Sequence, residues 1–121
     1  HSRVARATFV KHGKGLFDVQ IARDSASVAR WGIEGYRGGL VAVGVGGPIT
    51  GRGAHILLLD DPVKNAEEAN SATIRDKVWD WYTTTFYTRL APGGSVVVVM
   101  TRWHEDDLVG RLLKQESEKI L

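Results

Sequence analysis

Two short, uninterrupted apolar runs constrain this 121-residue chain more than anything else in it. Ile56-Leu57-Leu58-Leu59 stops at Asp60-Asp61-Pro62, and Val96-Val97-Val98-Val99-Met100 stops at Thr101-Arg102-Trp103-His104. Such continuous runs suit the strands of a parallel sheet, buried on both faces. Between them Ile74, Val78, Trp81, Tyr82, Thr85 and Leu90 recur at the 3.6-residue period, which predicts a helix closed by Ala91-Pro92-Gly93-Gly94. Strand, helix, strand in that order make a right-handed βαβ crossover and place the chain in the α/β class.

The flanking segments fill in this outline. Asn65 reads as a helix cap with Glu68 at the third helical position. A last helix starts near His104-Glu105-Asp106-Asp107, whose acids suit a helix N-terminus, and carries Leu108, Leu112 and Leu113. The first fifteen residues show no clear period and read as a loop or the start of a strand. Phe17, Val19 and Ile21 then alternate with polar residues, a second alternation surrounds Val28 and Trp31, and Leu40-Val41-Ala42-Val43 follows a Gly-rich turn. An antiparallel strand region is expected over about 16–45, and the strands and helices of the parallel unit over 55–121. Gly44 to Gly53 is too rich in glycine and proline to be regular.

Composition removes several chemistries. There is no cysteine, which excludes disulfides, thiol catalysis and Cys-based zinc sites. Sixteen Lys+Arg against 14 Asp+Glu leave a charge of +2, too balanced to announce nucleic-acid binding. No apolar run is long enough for a membrane span and no signal-peptide pattern opens the chain, so a soluble intracellular protein is expected. The chain opens on His1 and its one methionine is Met100, so it is expected to be a piece of something longer.

Ligands of open α/β sheets bind beyond the carboxyl ends of the strands. Adjacent strands would bring Asp60-Asp61 and Thr101-His104 together at that edge. Paired carboxylates there suit a magnesium-dependent phosphoryl-transfer site, with Asp60 holding the ion and Asp61 orienting or deprotonating the attacking water. The alternative for the dipeptide alone is a turn before Pro62. No segment satisfies G-x-G-x-x-G or the phosphate loop G-x-x-x-x-G-K-[ST]; the one Gly-Lys pair, Gly13-Lys14, is followed by Gly15. Arg52, between two glycines, reads either as a mobile guanidinium reaching phosphate or as a solvated loop arginine. His104-Glu105-Asp106-Asp107 cannot converge on one ion, because consecutive helical residues diverge. Trp79, Trp81, Tyr82, Phe86 and Tyr87 read as core-packing helix faces.

The segments 38–47, Thr50-Gly51-Arg52-Gly53, Leu57 to Pro62, Val78 to Tyr82, Thr88-Arg89-Leu90, Pro92-Gly93-Gly94 and Met100 to Leu108 stand in the order seen in one family. The chain resembles the large subunit of tailed-phage terminases over about Ser25 to Leu113. The resemblance implies a P-loop-NTPase-like sheet, represented here by the C-terminal part of the ATPase domain without its phosphate-binding loop. It implies ATP and Mg²⁺ as cofactors, Asp60 as the Walker B magnesium acid, and Asp61 at the position of the catalytic carboxylate, usually Glu. Thr101 falls in the coupling motif that senses the γ-phosphate, and Arg52 is a candidate arginine finger acting on a neighbouring subunit. The implied partners are double-stranded viral DNA, the terminase small subunit, the capsid portal and other copies in a ring, in the cytoplasm of a bacterial host and with no membrane. ATPase and nuclease activity are expected of the whole protein, and no activity of this piece alone. Two other readings are a two-metal nuclease fragment built on Asp60 and Asp61, for which the front strands offer only Asp18, Asp24 and Glu34 as further acids, and a non-catalytic prophage remnant or interaction module.

Overall fold

A computed structural model describes residues 2–49, 51 and 53–120. The chain divides into two compact units, residues 1–44 and 45–121.

The first unit opens on a helix, α1 (Ser2–Phe17), where a loop or strand start was expected. Its two glycines differ in surroundings: Gly15 is open, with nothing within 4 Å of where a Cβ would stand, whereas Gly13 is closely packed. Gly13 is buried, and a Cβ there would lie 3.0 Å from the Val19 carbonyl oxygen and 3.1 Å from the Phe9 ring. The Phe17-Val19-Ile21 alternation likewise straddles a helix end rather than a strand. Asp18 takes a left-handed conformation, φ 54°. Its N–H donates to the Lys14 carbonyl, the single bond of an αL-type helix stop, while the Val19 N–H reaches back to the Gly13 carbonyl. Three antiparallel strands follow in the order β1 (Ile21–Ala26), β2 (Arg30–Ile33), β3 (Gly39–Val41), as expected for this third of the chain. Phe9 packs on the buried Trp31 with ring centroids 5.1 Å apart, which fastens α1 to the sheet.

The second unit is the expected parallel pair. β4 (Ala54–Asp60) runs beside β5 (Leu90–Val99), with Leu57 opposite Val96 and Asp60 opposite Val99. Pro92-Gly93-Gly94 lies inside the irregular beginning of β5 instead of merely ending a helix. Gly94 is there because a Cβ would press on the Ala91 and His55 carbonyl oxygens, each 2.9 Å away. The connection holds α2 (Ala66–Asn70), α3 (Ala72–Trp81), a π turn (Tyr82–Phe86) and a 3₁₀ turn (Tyr87–Arg89). Asn65 caps α2 as read, its side chain accepting from the Glu68 N–H at 2.9 Å, while Glu68 reaches back to the Lys64 N–H. The regular helix expected through Leu90 changes geometry at Tyr82. There Thr83 and Thr84 donate their hydroxyls to the Trp79 and Asp80 carbonyls, competing with the backbone ladder. α4 (Leu108–Ile120) completes the unit.

Leu57 and Leu59 pack with Val78, Trp81, Tyr82, Phe86 and Leu108 in one core. The strands are not buried on both faces: Ile56, Leu58, Val97 and Val99 point away from that core and are 69%, 61%, 44% and 53% exposed. Successive strand residues alternate faces, and the helical members of the core all pack with the Leu57–Leu59 side. An unbroken aliphatic run says that neither face is polar; it does not say that both are covered.

Candidate functional site

The carboxyl ends of β4 and β5 meet as the pattern predicted. The Asp61 N–H donates to the Val99 carbonyl at 2.9 Å, carrying the ladder one residue beyond β4. Asp61 then turns into the left-handed region, φ 43°, a conformation that Asp tolerates better than most non-glycine residues. The turn brings its carboxylate back across the strand ends, where Oδ1 accepts the Thr101 backbone N–H at 3.2 Å. Asp60, Asp61 and Thr101 are all solvent-exposed, so this is an open sheet edge. Arg52 lies outside the described residues. Gly47, within the Gly-rich loop, accepts the Trp81 indole N–H at 2.9 Å, pinning that loop to the end of α3.

Behind Thr101, the turn to α4 is held by groups the sequence reading treated only as helix-end acids. Asp107 is 2% exposed, the one buried charged side chain among the described residues. It accepts the Gly110 N–H at 2.8 Å as the cap of α4, and the Arg102 guanidinium at 2.5 Å. Arg102 also donates to the Glu105 carbonyl, and His104 Nδ1 accepts the Asp106 N–H at 3.0 Å. Asp before an apolar run was the signal for the cap; no local pattern announces the Arg102 partner.

Asp106 anchors the same turn to α3. Arg111 grips it with two bonds, at 3.0 and 2.7 Å, and also reaches Asp76 at 2.8 Å. Arg75 adds a bond to Asp106 at 3.3 Å and one to the Ala69 carbonyl at 2.7 Å. The Arg111 bonds, with Arg75 behind them, hold the Asp106 carboxyl down to about 2 against the ordinary 3.8, and Arg111 is raised in turn. A carboxyl lowered on folding stabilises the fold above its unfolded pKa and loses that contribution as pH falls through its folded pKa. Wild type should therefore exceed Asp106→Asn in urea midpoint at pH 5, and the gap should close as pH falls from about 4 toward 2. A gap that does not change with pH would contradict the ion-pair assignment.

Among the described residues, no three His, Asp or Glu side chains come together as a metal cluster would. Asp18, one of the acids a nuclease reading needs, is engaged by Lys14, which lowers its carboxyl pKa. No helix among the described residues is long and apolar enough to cross a membrane. Gly13-Lys14-Gly15 sits in α1, not in a loop, and makes no phosphate cradle.

Residues 3–120 match the family model described as the terminase large subunit, T4likevirus-type, N-terminal. No curated protein and no solved structure matches the chain.

Proposed function

This chain belongs to the terminase large-subunit family, with a role in phage DNA packaging, and we propose from that premise that its second unit supplies the hydrolytic edge of an ATP-driven packaging motor. The reading treats β4 and β5 as part of a P-loop-NTPase-like sheet from the C-terminal part of the ATPase domain, whose phosphate-binding loop these 121 residues do not contain. The observation that carries it is the Thr101 N–H bonded to the Asp61 carboxylate across two parallel strand ends. It gives the hydrolytic carboxylate and the coupling residue one shared hydrogen bond.

The residues fit magnesium and ATP in donor type. Asp60 and Asp61 offer hard oxygen ligands at an exposed strand end, and magnesium typically takes one or two protein carboxylates beside nucleotide phosphates. When bound, Mg²⁺–ATP supplies the phosphoryl group and neutralises charge developing on it. Asp60 would hold the ion, and Asp61 would orient the attacking water and accept its proton. Any displacement of the Thr101 backbone is felt at Asp61 Oδ1, and the Arg102–Asp107 clamp passes it to α4. Arg52 would act in trans on a neighbouring subunit's nucleotide. Viral double-stranded DNA, the small subunit, the capsid portal and further copies in a ring are the partners in the cytoplasm of the bacterial host.

The test is ATP hydrolysis by the parent motor carrying Asp60→Asn. Lost hydrolysis with ATP binding retained supports the assignment, because binding comes mainly from the phosphate loop. Undiminished hydrolysis rejects it.

A further inference from the structure

The near-neutral charge of the chain hides a division between its units. Residues 1–44 carry seven Lys and Arg against three Asp and Glu, while residues 45–121 carry nine against eleven. The excess cations of the first unit are concentrated on α1 and the edge strand β1. Arg3, Lys11 and Lys14 are exposed on α1, and the helical rotation places Arg3 and Lys14 within about 20° of each other, three turns apart, with Lys11 beside them. They span about 16 Å of helix, close to five base-pair rises of a duplex. Between α1 and β1 lies an open hollow of about 430 Å³, lined by Arg6, Lys14 and Arg23 over Phe9, Val10 and Ile21. Arg6 Nε is buried there with no hydrogen-bond partner among the described residues.

The acids cancel this face only in part, and chiefly at Lys14. Asp18 neutralises only Lys14, as its ion-pair partner. Asp24 stands next to Arg23 on β1, where the register is irregular between Ile21 and Ala26. Glu34, just beyond β2, donates its N–H to the Gln20 carbonyl at the rim of the hollow and acts electrostatically on Lys14.

We propose that this α1–β1 face is a contact surface for the phosphate backbone of double-stranded DNA. Spaced cations around a hollow suit a repeating polyanion, and phosphate contacts position without reading sequence. An anionic membrane is the other surface a basic helix could meet. That requires one continuous apolar stripe, and the exposed apolar residues Val4, Val10, Leu16 and Phe17 scatter around α1. The proposal rests on the packaging role for the presence of DNA, and on no part of the ATPase assignment.

The experiment titrates the 121-residue chain against a fluorescein-labelled random-sequence duplex by anisotropy, across a salt series and without nucleotide. Binding should weaken steeply with salt. The triple variant Arg3→Gln, Lys11→Gln, Arg23→Gln should lose at least about tenfold in affinity at 0.1 M salt, and about three units of log–log salt slope. All three side chains are exposed, so the fold is spared, and the charge-keeping set Arg3→Lys, Lys11→Arg, Arg23→Lys should retain the slope. The pair Lys64→Gln, Lys77→Gln on the second unit should behave as wild type. No binding at low salt, equal losses in that pair, an unchanged slope in the triple variant, or binding to anionic vesicles but not to duplex would each overturn the proposal. DNA binding here together with undiminished hydrolysis in the Asp60→Asn motor would reject the ATPase assignment and leave this surface standing.

Discussion

Gly110→Ala is expected to lower the unfolding free energy by about 2 kcal/mol, although alanine is the better helix former. Propensity alone favours the substitution by about 1 kcal/mol. Gly110 is the third residue of α4, and a Cβ there would land on the Glu105 carbonyl oxygen and 3.2 Å from the Arg102 guanidinium. The carbonyl is backbone, so either the turn or the helix must move. Overpacking of this kind costs roughly 1–3 kcal/mol. The movement also disrupts the Asp107 cap on the Gly110 N–H, worth about 1 kcal/mol. The two losses together outweigh the gain. Gly15→Ala provides the contrast, since a Cβ there meets nothing within 4 Å and α1 should gain up to about 1 kcal/mol. Urea midpoints of the two variants should move in opposite directions; a stabilised Gly110→Ala would show that the turn is not held as described.

Asp61→Asn should reduce ATP turnover in the parent motor by about 10² to 10⁴, the usual contribution of a positioned general base. Its value as a test lies in what Asn preserves. Asn is among the residues that tolerate the left-handed φ of 43°, and its side-chain oxygen can still accept the Thr101 N–H. Fold, strand-end geometry and ATP affinity should therefore stay near wild type while hydrolysis fails. Asp61→Ala removes the acceptor as well and should also loosen the strand ends, seen as faster amide exchange at Thr101. Near-normal turnover in Asp61→Asn would take the base assignment from Asp61.

Much of the second unit was readable because its signals are local. Asn65 followed by Glu68 is a cap whatever the tertiary fold, and the aliphatic runs could only be strands flanking a helical period. The meeting of Asp60-Asp61 with Thr101 followed from one rule of parallel sheets. What escaped was set by neighbours distant in sequence. α1 was missed because residues 1–15 show no clear helical period, and what seats the helix, Gly13 packed against Phe9 and the Val19 carbonyl, is a matter of tertiary fit. The open face of Ile56, Leu58, Val97 and Val99 was missed because hydrophobicity does not reveal which layer is present. Arg75 and Asp106 are 31 residues apart, and nothing in either neighbourhood names the other. The basic first unit was lost to averaging with an acidic second one.

The parallel pairing of β4 and β5 has a consequence in time. Parallel strands cannot be joined by a tight turn, so the hydrogen bond that unites Thr101 with Asp61 closes a separation of 40 residues. The α2 cap, by contrast, spans only three. Loop-closure entropy is spent before long-range contacts return it. Local turns and helices form first on that account, and the carboxylate edge exists only once the crossover has been threaded and packed. The residues assigned the chemistry thus belong to the last-assembled part of their unit, and any lesion that slows closure of the crossover withholds the site while leaving most of the secondary structure in place.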